Sequence, residues 1–230
     1  GEPVMNALNA PSVDESAYPR IQPYIGLAET SGIIAAQLLD GRISEIEVAY
    51  EGEIADEEVD LVTASALKGV FEPLEWQVNA VNAPQIATDR GIDVTESKSL
   101  QSDDFQSVVT VRVGNDDDSL EVSGTLFAGG DPRIVRIDGY RVDAVPHGKM
   151  LVARNTDKPG VLGFIGSVLG DHDINISGIF TSRRDEPGGE ALTVYNLDDP
   201  VPDSVAATIL DDDRMIDVRY LTLNGDEDGS

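Results

Sequence analysis

The chain contains no cysteine, which excludes disulfides, zinc–thiolate sites and thiol nucleophiles together. That absence also fits the reducing cytoplasm, where we expect the protein to work. Lysine occurs only as Lys68, Lys98, Lys149 and Lys158. With 16 bases against 43 acids, the formal charge is −27 over 230 residues. Phosphate neutralisation needs clustered cations, so nucleic-acid binding is not expected. Histidine occurs twice, as His147 and His172, and neither stands at a catalytic-triad or metal-ligand spacing. The longest apolar stretch, Gly32 to Leu39, is short and interrupted by Gln37, so no membrane span is expected. The opening Gly1-Glu2-Pro3 carries neither the basic nor the apolar part of a secretion signal. A chain that opens on glycine instead of methionine is expected to be a piece of a longer protein.

A dinucleotide site is missing too. The fingerprint needs Gly-x-Gly-x-x-Gly at a strand-to-helix turn. The only glycine-rich helix start is Gly160-Val-Leu-Gly163-Phe-Ile-Gly166, preceded by Pro159. Its three-residue spacing reads as small packing residues within a helix. No catalytic residue, no metal site and no cofactor are therefore expected in this chain.

The acids that are present run along the whole sequence, with short clusters at Asp116–Asp118, Asp211–Asp213 and Asp226–Asp228. Like charge opposes compaction in dilute buffer, and molar salt shortens the Debye length to about 3 Å. An acid-rich, lysine-poor composition is that of a halophile's cytoplasmic protein. The expectation is a structure that needs salt.

Periodicity divides the rest. Pro3, Pro11 and Pro19 predict an extended arm over residues 1–19. Tyr24, Leu27, Ala28, Ser31, Ala35, Leu38 and Leu39 predict a helix from about Ile21, stopped at Asp40-Gly41. Ile46, Val48 and Tyr50 alternate as a strand. Asp56 or Glu57 is expected to open a second helix, with Val59, Val62, Ala66, Leu67 and Val70 inward. Asn82 reads as the N-cap of a short helix closed by Gly91. Strands follow, and Asp138-Gly139 signals a two-residue hairpin. The last 80 or so residues then read β-α-β-β-α-β. The fold class is α+β: a mixed α/β domain over 20–146, a ferredoxin-like βαββαβ domain over 147–225, and an acidic tail over 226–230. In the first helix of that second domain, Val161, Leu162, Ile165, Val168 and Leu169 form one stripe expected to be core.

The turn Asn155-Thr-Asp157-Lys158-Pro159-Gly160 joins a strand to that helix. Asp157 can cap the helix, and Gly160 leaves the backbone open to a ligand. Free amides at a helix start favour a carboxylate, and Asp157 favours an ammonium, so the turn suits a zwitterionic amino acid. An ordinary capped turn explains the same residues equally well.

The stretch Arg154-Asn-Thr-Asp-Lys-Pro-Gly-Val-Leu-Gly163, followed by Asp173-Ile-Asn-Ile176, resembles the signature of the ACT domain family. Upstream, Pro23-Tyr-Ile-Gly-Leu-Ala28, Leu67-Lys68-Gly69, Val78 to Ala83, Ser123-Gly-Thr125 and Arg133 to Tyr140 resemble the allosteric substrate-binding domain of long-form D-3-phosphoglycerate dehydrogenases. The likeness runs through the whole chain in order, and residues 1–9 look like that family's connection out of its nucleotide domain.

The resemblance implies the regulatory part of an NAD-dependent oxidoreductase of serine biosynthesis, itself non-catalytic. It implies L-serine or a similar amino acid held between paired ACT domains of a homo-oligomer. Asn155, Asp157 and Gly160 would come from one subunit and Asn175 from its partner. Asn155 departs from the residues usual in the family, which leaves the effector's identity open. In the middle domain the resemblance implies an anion, phosphate or phosphoglycerate. Arg133 matches one position, and Val145 stands near where a second family arginine falls. Arg136, Arg141, His147 and Lys149 are the candidates to complete that site. Alternatively, Arg133 and Arg136 only offset local acids. Two other readings stay open: a free-standing amino-acid sensor, and a relative of the β-subunit of bacterial serine dehydratases.

Overall fold

The computed structural model describes residues 18–74, 77–184 and 188–223. Most of the arm expected at 1–19, and the tail at 226–230, lie outside these. Helix α1 spans Tyr18–Leu38, so Pro19 belongs to it and not to an extended arm. In a first turn the missing N–H of proline has no helical partner to lose. Pro23 also lies within α1, at the cost of one backbone bond.

Strand β1 (Glu45–Gly52) alternates exposed and buried, with Ile46, Val48 and Tyr50 turned inward. A 3-10 turn, Glu53–Asp56, follows, and Glu57 is extended. Helix α2 therefore begins at Asp60, not at Asp56 or Glu57, and runs to Phe71. The Glu57 carboxylate instead receives the Arg20 guanidinium, which holds its pKa below the usual range. Helix α3 is Ala83–Arg90, closed by Gly91 as expected. Asn82 holds the N-cap position as expected, but its side chain makes no cap bond: its Oδ1 accepts the Asn79 amide at 2.8 Å and so serves the preceding turn.

The helices α1 and α2 cross at glycines. A Cβ on Gly69 would stand 1.9 Å from the Glu29 carbonyl oxygen, and one on Gly32 would stand 2.4 Å from that of Ala66. Only side-chain-free residues permit this approach, which seals Leu27, Ala28, Ile34, Leu67 and Val70 from water. Each large apolar side chain so buried stabilises the fold by about 1.5–3 kcal/mol.

Strands β2 (Asp93–Ser99), β3 (Ser107–Gly114), β4 (Ser119–Leu126), β5 (Pro132–Ile137) and β6 (Tyr140–Ala144) complete a sheet of order β2-β1-β3-β4-β5-β6. Only β1 and β2 run parallel. Asp138 and Gly139 both take positive φ, 47° and 75°, the backbone of the tight hairpin read from their sequence. The helices cover one face of this sheet, and the other is polar.

The last part contains β7 (Lys149–Thr156), α4 (Val161–Gly170), β8 (Ile176–Arg183), β9 (Glu190–Leu197), α5 (Asp203–Leu210) and β10 (Met215–Thr222). Its sheet order is β10-β7-β9-β8, every neighbouring pair antiparallel, which is the ferredoxin-like arrangement. Val161, Ile165 and Leu169 are buried under α4, but Leu162 is 44% exposed, outside the expected core stripe. Gly163 and Gly166 have no neighbour within 4 Å of a Cβ position. Among the described residues they pack against nothing, and they form an open face of α4.

The two sheets share apolar side chains. On β7, Leu151 and Ala153 join the core beneath α4 and α5, while Met150 and Val152 join the core of the first sheet. Leu192 and Val194 of β9, Leu221 of β10 and Leu223 just past it also join the core of the first sheet. Polar contacts frame this junction. Arg219 binds Asp40 at 2.7 Å, and Arg184 binds Asp138 at 2.7 Å while lying over the Tyr140 ring at 4.6 Å. The Asn196 amide donates to the Val145 carbonyl at 2.8 Å.

Candidate functional site

Strand β7 carries its side chains alternately to the two cores, and its penultimate residue, Asn155, falls on the helix side. There it is 3% exposed. Its Nδ2 donates to the Thr156 carbonyl at 2.8 Å, but its Oδ1 is buried and has no partner among the described residues. A buried carbonyl oxygen without a donor is costly, by about 1–3 kcal/mol, unless a ligand or water supplies one.

Asn155 lines a cavity of about 640 Å³ at the start of α4. Gly160 forms the N-cap with φ of 90° and ψ of −7°, a left-handed conformation that disfavours any side chain. No side chain caps the helix. Asp157, expected in that role, turns away. Its Oδ2 receives Arg183 Nε at 2.7 Å and the Gly188 amide at 3.3 Å. Of the first-turn amides of α4, that of Val161 donates to the Lys158 carbonyl at 3.5 Å, those of Leu162 and Gly163 have no helical acceptor, and the helix dipole adds positive potential at this end. Lys158 and Arg183 line the same space.

On the side formed by β8 and β9, Thr193 Oγ1 donates to Thr181 Oγ1 at 3.0 Å. The cavity start is held from below by Arg214. Its guanidinium grips Asp212 with two contacts of 2.7 Å and lies 5.3 Å over the Phe164 ring. The guanidinium pushes the pKa of Asp212 down to about 2.

Asn155, Asp157 and Gly160 thus meet in one cavity. Asn175 does not line it. Asn175 follows the far end of α4, where its Nδ2 donates to Asp198 and its amide to Asp199. Thr181, Thr193 and Arg183 are cavity residues that sequence reasoning missed. Their only signal was alternation along β8 and β9, and the pairing of those strands brings them to Asn155.

The polar face of the six-stranded sheet carries the arginines expected to hold an anion. Arg136 and Arg141 are opposite each other on β5 and β6, and both reach Asp104, at 2.9 and 3.1 Å. Arg133 instead pairs with Asp143 at 3.4 Å and lies 5.4 Å over Phe127. His147 is exposed, and Lys149 donates to the Asp198 carbonyl at 3.1 Å. Arg112, not expected to act there, bridges Glu47 and Glu121 on the same face.

Residues 20–138 match the D-3-phosphoglycerate dehydrogenase intervening domain, and residues 149–213 match the ACT domain. The chain is 37% identical over 225 residues to D-3-phosphoglycerate dehydrogenase of Archaeoglobus fulgidus, covering 97% of this chain and 42% of that protein. The corresponding enzyme of Methanocaldococcus jannaschii is 34% identical over 224 residues, and that of Bacillus subtilis 31% over 224; 97% of this chain and 42% of each are covered. The chain thus spans less than half the length of these relatives and matches their C-terminal part.

Proposed function

Because the chain belongs to the D-3-phosphoglycerate dehydrogenase intervening-domain family and carries an ACT domain beside it, we propose that it is the amino-acid-sensing and oligomerising part of such a dehydrogenase. The observation that carries this reading is Asn155, a buried residue that lines the α4 cavity and whose Oδ1 has no partner among the described residues. It is an acceptor waiting for a donor, and an ammonium is one. The open amides of α4 and the dipole behind them suit the carboxylate of the same molecule. L-serine adds a hydroxyl that the Thr181–Thr193 pair can meet.

The partner subunit's copy of Asn175 would close the cavity in a dimer of ACT domains. Leu162, Gly163 and Gly166 leave an open apolar face on α4 that supports such pairing. An effector bound more tightly by the paired form shifts the population toward it, and the attached catalytic part responds. Hydride transfer with NAD belongs to residues outside this chain, which contains no dinucleotide fingerprint. Arg136 and Arg141 around Asp104 are the pair best placed to receive phosphate or phosphoglycerate, with Asp104 displaced.

Calorimetric titration of L-serine tests the reading. Binding should be present in the parent chain and fall at least about a hundredfold in the Asn155→Ala/Asp157→Ala double variant, the loss of two charged or buried contacts. Undiminished affinity in that variant would overturn the assignment.

A further inference from the structure

Strand β2, Asp93–Ser99, lies at the outer edge of the six-stranded sheet, and among the described residues no strand pairs with its free side. All seven of its residues are exposed. Such an edge presents a row of free N–H and C=O groups, and folded proteins usually blunt it with charged side chains, proline, a bulge or a cover; of these, β2 has only the charges of Asp93, Glu96 and Lys98. This strand contains neither proline nor glycine, and its register against β1 runs from Glu45↔Asp93 to Glu51↔Ser99 without a shift.

The side chains on it are ordered. Val94, Glu96 and Lys98 pair with the buried Ile46, Val48 and Tyr50, so they stand on the helix side. Thr95, Ser97 and Ser99 stand on the polar face. Glu96 and Lys98 lie 3.8 Å apart. In a chain of charge −27, this strand carries two acids and one of the four lysines. Val94 is 38% exposed, and Leu100, just past the strand, is 73% exposed.

We propose that β2 pairs antiparallel with β2 of a second copy, across a two-fold axis through Ser97. An axis normal to the sheet keeps each side chain on its own face, so the register must centre on a residue. Centred on Ser97, Glu96 of each copy faces Lys98 of the other, Thr95 faces Ser99, and Val94 faces Leu100. Four charges then alternate around the axis, and both exposed apolar side chains gain a partner. Centring on Glu96 or on Lys98 would oppose like charges and leave Val94 facing a lysine or no residue of the strand. This surface is separate from α4 and its cavity, so it supplies a second mode of self-association.

The absence of cysteine makes the test direct. Directly opposed residues in an antiparallel pair lie about 4.5–5.5 Å apart, within disulfide reach. Under mild oxidation, Ser97→Cys should give a disulfide-linked dimer in high yield. Thr95→Cys, about 13 Å from its mate at some 3.3 Å per residue, should give almost none. No linkage at position 97, or equal linkage at both positions, would overturn the proposal. In sedimentation, Glu96→Lys should weaken one association step at least tenfold, and Glu96→Lys/Lys98→Glu should restore it; failure of the double variant to recover counts against this register. Hydrogen exchange showing β2 amides protected while Ser97→Cys stays unlinked would mean that another segment covers the edge, and the proposal would be wrong.

Discussion

Asp157 and Arg183 close on each other across the α4 cavity, carboxylate Oδ2 to guanidinium Nε at 2.7 Å. The side chains are 21% and 55% exposed. Such a half-exposed pair is worth no more than about 1 kcal/mol. It nevertheless occupies the carboxylate that an incoming ammonium would use.

Removing the competitor should therefore help the ligand. Arg183→Ala is expected to tighten L-serine binding by up to about fivefold, the equivalent of that ion pair. Asp157→Asn should weaken it, and calorimetry at fixed salt separates the two. A loss of affinity in Arg183→Ala would show that the arginine holds the ligand instead of competing for Asp157.

The α1–α2 crossing predicts a large stability difference between two glycine substitutions. Gly69→Ala drives a methyl to 1.9 Å from the Glu29 carbonyl oxygen, which the helices relieve only by separating. We expect a loss of about 2–3 kcal/mol. Gly163→Ala meets nothing within 4 Å and should gain up to about 1 kcal/mol from helix propensity. Guanidinium unfolding of the two variants measures both.

Asp212 should titrate low. Arg214 holds its carboxyl near 2, against 3.8 for an ordinary aspartate. A carboxylate with a depressed folded pKa adds stability above its unfolded value, and that contribution is lost as pH falls through the folded one. The loss is thus expected between about pH 4 and 2. Carbon NMR of the carboxyl should place the midpoint near 2, and Arg214→Ala should return it toward 3.8.

Charge predicts a dependence on salt. Raising ionic strength from about 0.01 to 1 M shortens the Debye length from about 30 to 3 Å. For a chain of −27, the melting temperature should rise over that range, and circular dichroism should weaken on dialysis into dilute buffer. A flat response would remove the reading of this composition as halophilic.

Local rules made much of the fold legible. The Asp138-Gly139 hairpin, the inward residues of α2 and the β-α-β-β-α-β order all followed from spacing and turn chemistry. The misreadings fell where a local rule had a rival. Pro19 breaks helices in their interiors but is harmless in a first turn. Asn82 caps helices well, yet Asn79 recruits its side chain first. Asp157 was a reasonable cap until β8 brought Arg183 to it, a contact between residues 26 apart in sequence. Three of the cavity's residues were readable because they lie on one continuous turn. Thr181, Arg183 and Thr193 depend on strand pairing, which no local pattern encodes.

Strand β7 works as a party wall. Leu151 and Ala153 furnish one room, Met150 and Val152 the other, and Asn155 stands where the wall reaches the cavity. A tug on that end moves a panel to which both rooms are fastened. The unit that carries α4 and the unit beside it should therefore melt together, in one transition, although the sequence reads as two domains.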